Sequence, residues 1–163
     1  MATWQEFQQQ APHISALFRR RHTATGNLCF LGTLMKDGSP RISPMEPWMF
    51  EGQLWLVGMP GTTKFADLAR DPRFTLHTAS ADPKVTDGDA KLSGTIHHVD
   101  DPDQQKRWLE DMFERTGHDF RGEVFEQFLA ADITSASSVE VADDHLDITV
   151  WKEGKPEYVV RKH

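Results

Sequence analysis

Turn-forming residues cut this chain into pieces too short for long helices. Lys36-Asp37-Gly38-Ser39, Glu51-Gly52, Asp143-Asp144 and Glu153-Gly154 each separate stretches rich in β-branched, aromatic and leucine residues. Leu28–Leu34, a returning strand from near Arg41, Gln53–Met59, Arg73–Ala79, Asp89–Val99, Ile133–Val141, Leu146–Trp151 and Glu157–Val160 all read as strands. Six to eight short strands joined mostly by hairpin turns favour a mainly β chain, an antiparallel barrel with flanking helices, over a parallel α/β sheet. The first three strands are expected to form a consecutive meander. That pairing would set Arg41 beside the strand that feeds the segment around Lys64.

The helices carry their own start and stop signals. Thr3-Trp4-Gln5-Glu6 reads as a capping box opening an amphipathic segment that Pro12 divides in two. Thr62 or Thr63 caps a short helix whose Phe65, Leu68 and Ala69 form one side before Asp71-Pro72. Asp101-Pro102 starts another, with Trp108, Leu109, Met112 and Phe113 on its apolar face and Gly117 at its end. Val124, Phe125, Phe128 and Leu129 suggest one further short helix.

With 163 residues, 38% of them hydrophobic and 26% charged, the chain fits one soluble domain over residues 1–163, large enough to need no disulfide or structural metal. The single cysteine, Cys29, excludes a disulfide framework and a multi-cysteine metal site, and a reducing cytoplasm is the expected compartment. Cys29 lies in an apolar strand and reads as a small buried hydrophobe. No apolar run reaches the roughly 18 residues a membrane span requires. The formal charge of −7 disfavours nucleic acid as a partner, although residues 1–41 hold five Lys/Arg against two Asp/Glu.

Self-contained catalytic motifs are missing: there is no Gly-x-Ser-x-Gly elbow, His-Glu-x-x-His helix or Walker glycine loop. Attention moves to a borrowed cofactor, and the best anion site is Gly61-Thr62-Thr63-Lys64 at a helix start, where free amides, two hydroxyls and an ammonium converge. Arg41 could clamp the same anion from a second side. Against this stands the plainer possibility that the threonines only cap and Lys64 is solvated. His77 faces either a ligand or the barrel, and Asp89, Lys91 and Ser93 share one strand face. His97 and His98 point to opposite faces and suit no shared metal. Trp48, Trp55, Trp108 and Trp151 could stack on a flat ring or simply fill the core.

The ordered series Gly32 to Pro44, then Leu54-Trp55-Leu56, then Thr62 to Arg73, resembles the pyridoxamine 5'-phosphate oxidase-like family of flavin-binding split barrels. The resemblance covers roughly residues 25–100 and implies a homodimer with FMN, or in some branches a deazaflavin, at the subunit interface. It implies that Arg41, Ile42, Ser43 and Pro44, with Met59 nearby, line the cofactor and that Thr62, Thr63 and Lys64 hold its phosphate. The expected activity is hydride transfer between flavin and a small organic substrate. Two other expectations share the fold: a deazaflavin-dependent reductase, and a non-catalytic flavin- or haem-binding stress protein. The vitamin B6 oxidases carry a second basic residue where this chain has Thr63, and their arginine- and proline-containing terminal motif does not match residues 151–163. The resemblance therefore implies the cofactor fold without that substrate.

Overall fold

The computed structural model describes residues 1–163. The Thr3 hydroxyl accepts the Glu6 amide while Glu6 takes the Thr3 N–H at 2.8 Å, and this capping box opens α1 (Trp4–Gln10). Pro12 sits in the first turn of α2 (Pro12–Ala24), where its missing N–H costs nothing. Trp4, Phe7, Ile14, Leu17 and Phe18 are all buried, so the two helices form an apolar plug.

Nine strands make one antiparallel sheet: β1 (Cys29–Leu34), β2 (Pro40–Met45), β3 (Trp48–Phe50), β4 (Gln53–Gly58), β5 (Arg73–Thr78), β6 (Asp89–His98), β7 (Gln127–Val141), β8 (Leu146–Lys152) and β9 (Tyr158–Lys162). Between them lie α3 (Thr63–Arg70) and α4 (Pro102–Thr116), the latter closed by Gly117 in the left-handed region. The order β2-β1-β5-β6-β7-β4-β3 curls around the plug. β7 splits the barrel: β4 pairs along Gln127–Ala130 and β8 along Ser135–Val141. Ala2 fills the fork with two backbone bonds to Ile133. The expected antiparallel barrel with flanking helices is thus the fold.

Two local expectations fail. The meander does not form, because β2 pairs only with β1, while β4 pairs with β3 and β7. Alternation fixes a strand's faces but not its neighbour. The expected helix over Val124–Leu129 is also absent, for Gln127 already begins β7. Phe128 and Ala130 pack with Trp55, Trp108 and Leu109 under α4, whereas Leu129 and Ala131 join the main core. A strand covered on both faces gives an unbroken apolar run that spacing does not distinguish from a helix.

At Ser93/Gly94 the β6–β7 register slips by one residue, a bulge that leaves Thr134 unopposed. On the sheet's outer face Ile42 is 75% exposed and Phe30 41%, and β9 shows Tyr158, Val159 and Val160 to solvent. No helix is long and apolar enough to cross a membrane.

Candidate functional site

The candidate site grows from the junction of β4 and α3. Pro60-Gly61 turns the chain, with Gly61 at φ 79, and Phe65 lies directly over Gly58, where any Cβ would overlap its ring. This close approach draws α3 back across the end of β1 and β2. Phe65 and Leu68 enter the core, and Asp67 is buried beside them, whereas Ala69 stays exposed, contrary to the apolar side the spacing predicts.

Asp67 is 3% exposed, and a buried carboxylate must be compensated. Its Oδ2 accepts Arg41 Nε at 2.6 Å and the Thr33 hydroxyl at 2.9 Å, while Oδ1 accepts Arg70 Nη2 at 2.9 Å. The hydrogen bond from Arg41 is the largest influence holding its carboxyl below the usual carboxylate range. Arg70 also donates to Leu34 O at 2.8 Å, so the network ties α3 to β1 and β2.

One turn earlier on α3, Lys64 Nζ donates to Pro44 O at 3.2 Å. Lys64 and Asp67, one turn apart on α3, both reach β2, Lys64 at Pro44 O and Asp67 at Arg41, so both cations belong to one helix–strand seam. Thr62 is the N-cap residue but makes no side-chain cap bond, and its buried hydroxyl has no hydrogen-bond partner. The first bond of α3 is from the Ala66 amide to Thr62 O, so the amides of Thr63, Lys64 and Phe65 precede the intrahelical ladder. A partnerless buried hydroxyl, free amides and an ammonium together suit an anion.

A cavity of about 540 Å³ opens beside this seam. Pro44, Met59, Thr62 and Lys64 form one side, and Trp48, Val57, Trp108, Met112 and Phe120 form an apolar wall, with Asn27, Glu46 and His118 as polar members. The structure therefore gathers four of the eight residues singled out in the sequence on one cavity. Arg41 instead borders a shallow depression with Met35, Lys36 and Asp37. Its contact with α3 runs through Asp67, and the strand pairing expected to bring it there does not exist. Ile42 stands on the outer face opposite Gly32, Ser43 lies opposite Leu31, and Thr63 is exposed at the first turn of α3. A second cleft, about 550 Å³ beside the start of α4, contains none of these residues.

The other candidates separate cleanly. Trp55 and Trp151 are core residues, and Trp55 stacks on Phe128 at 4.2 Å, leaving Trp48 and Trp108 at the cavity. Lys91 pairs with Asp89 at 2.9 Å, and His77 Nδ1 lies 2.6 Å from Thr78 O. His97 meets Asp132 and His98 meets Glu126 O, each at 2.8 Å, on different partners. Burial pushes the Cys29 thiol up to about 12, so it stays protonated at neutral pH. Native protein should resist a thiol-reactive chromogenic disulfide and titrate one thiol only after denaturation. Fast native labelling would mean that β1 opens.

Sequence reasoning missed Asp67, Thr33 and Arg70, as well as the loop after α4 that supplies His118 and Phe120. The one available signal for Asp67 was a carboxylate flanked by Phe65 and Leu68 on a short helix.

An antiparallel split barrel with an anion-suited seam at a helix start defines a recognisable class of small domain. The chain belongs to the family described as Pyridoxamine 5'-phosphate oxidase, whose profile matches residues 19–142. No curated protein sequence matches it significantly. Among solved structures, the fold is similar to a pyridoxamine 5'-phosphate oxidase-related, FMN-binding protein from Nostoc punctiforme, at 13% identity and TM-score 0.64, covering 93% of this chain and 95% of that one. PhzG from Burkholderia lata 383, solved with tetrahydrophenazine-1-carboxylic acid, is 9% identical at TM-score 0.66, covering 94% and 93% of the two chains. A haem-binding protein from Mycobacterium smegmatis is 18% identical at TM-score 0.59; the match covers 82% of this chain but only 57% of that protein.

Proposed function

We propose that this chain is an FMN-binding oxidoreductase that passes a hydride between its flavin and a small organic substrate. The observation carrying this reading is the α3–β2 seam. Lys64 has a carbonyl as its hydrogen-bond partner, Arg41 is held through Nε alone, and the Thr62 hydroxyl is buried without a partner. A phosphate monoester offers the charge and acceptor oxygens to match all three.

When bound, FMN supplies the hydride chemistry at its ring. The chain's own residues would bind and orient it: Lys64, Arg41, Thr62 and Thr63 would hold the phosphate, and the backbone from Ile42 to Pro44 with Met59 would line the ring. Trp48, Trp108, Met112 and Phe120 form the apolar wall of the cavity, which would exclude water and suits a flat, weakly polar organic substrate. A second copy of the chain completes the pocket in this reading, covering the outer face where Phe30 and Ile42 are exposed.

A second reading, a haem-binding protein without turnover, draws on His118 and Met112 in the same cavity, since imidazole and thioether are iron ligands. The visible spectrum of the purified protein, followed by titration with FMN, a deazaflavin, riboflavin and haem, tests both. The expected result is FMN binding at micromolar concentration or tighter. A Soret band instead would favour the haem reading, tighter deazaflavin binding would replace FMN, and no flavin binding at micromolar concentration overturns the proposal.

A further inference from the structure

We infer that Asp67 is a positioning residue: by holding Arg41 through Nε alone, it sets the terminal guanidinium nitrogens as the second cationic contact for the phosphate that Lys64 takes. This inference rests on the flavin reading above and adds a residue to it.

The argument starts from valence. A carboxylate facing a lone arginine commonly takes two parallel N–H bonds and uses up one edge of the guanidinium. Asp67 cannot do so with Arg41. Its Oδ2 is shared with the Thr33 hydroxyl and its Oδ1 is committed to Arg70, so Arg41 contributes only Nε, at 2.6 Å. Nη1 and Nη2 of Arg41 make no bond within the chain, and the side chain remains 30% exposed at the seam. Arg41 is thus fixed at one corner and open at the other.

Position supports the same assignment. Asp67 follows Lys64 by three residues on α3, so the helix that places Lys64 at Pro44 O also places the carboxylate that orients Arg41. Thr33 and Arg41 are directly opposed in the β1–β2 register, which brings the hydroxyl and the guanidinium to one carboxylate oxygen without loop geometry. Two guanidiniums on one carboxylate leave the cluster cationic, so Asp67 orders Arg41 without cancelling its charge. A long flexible side chain is thereby ordered during folding and loses less freedom when a ligand arrives.

A merely structural ion pair between α3 and β2 would affect stability but not the discrimination between phosphorylated and unphosphorylated flavin. The test is the ratio of riboflavin to FMN dissociation constants, measured by fluorescence titration for wild type, Asp67→Asn, Arg41→Ala and the double variant, with a melting curve for each. Loss of an aligned charge-assisted bond should lower the ratio about tenfold in Asp67→Asn. In the Arg41→Ala background, Asp67→Asn should lower it no further, because Asp67 acts through Arg41.

Arg41→Lys gives a reading independent of whether Asp67→Asn folds. A lysine can meet Asp67 or the phosphate but not both, so its ratio should fall close to that of Arg41→Ala. The inference is overturned if Asp67→Asn or Arg41→Lys keeps the wild-type ratio, or if Asp67→Asn has the same effect with and without Arg41. Wild-type protein that binds neither flavin overturns the functional reading and this inference with it. Wild type that binds FMN and riboflavin equally overturns the inference alone, since flavin binding then stands without a phosphate contact.

Discussion

Lys64→Glu should bind FMN about a hundredfold more weakly than the parent chain while binding riboflavin nearly as well, because it removes a charge-assisted contact and adds a repulsion at the same point. Lys64 sits in the first turn of α3, where a carboxylate is favourable to the helix itself, so the fold should tolerate the change. Its one bond within the chain is to Pro44 O at 3.2 Å, on a partly exposed side chain. Paired titrations with the two flavins separate the outcomes. An equal loss for both would indicate a damaged pocket, and no loss for either would reduce Lys64 to a strap between α3 and β2.

Gly94→Ala should destabilise the protein by about 3 kcal/mol or more, the upper end of the cost of forcing extra volume into a packed interior. Gly94 lies at the bulge between β6 and β7, where its position faces the Asp132 carbonyl so closely that a Cβ would overlap backbone atoms. Backbone cannot rotate away as a side-chain tip can. The β6–β7 ladder would have to open or shift, and it is the ladder in which β7 splits the barrel between β4 and β8. Chemical denaturation of the purified variant measures the loss. A midpoint equal to that of wild type would show that the bulge relaxes at no cost.

Local signals were legible in the sequence and distant ones were not. The capping box at Thr3, the break at Pro12, the Asp101 cap and the Gly117 stop all rest on contacts within a few residues, and each stands in the structure. Hairpin turns were equally legible, since Gly38 and the Glu51-Gly52 pair have the positive φ their types require. The hairpin pairing of β1 with β2 follows from its turn, but pairing between distant strands was not legible, because β4 finds its second neighbour in β7, far along the chain. The candidate site follows the same division. Thr62, Thr63 and Lys64 are contiguous and easily seen, whereas Asp67 meets partners 34 and 26 residues earlier in the sequence. A carboxylate on a short helix looks solvated until the chain folds Thr33 and Arg41 against it.

Along the α3–β2 seam Asp67 meets two cations, Arg41 and Arg70, and Lys64 lies one turn earlier at Pro44 O, so these four side chains carry a surplus of two positive charges on a chain of formal net charge −7. An anion approaching from afar meets an acidic body, and only within a Debye length, about 8 Å at physiological salt, does it meet the cationic seam. Added salt therefore acts oppositely on two halves of one encounter. It screens the distant repulsion and hastens arrival, and it weakens the close contact and hastens departure. The speed with which such a pocket fills and the tightness with which it holds are set by different charges, and ionic strength moves them in opposite directions.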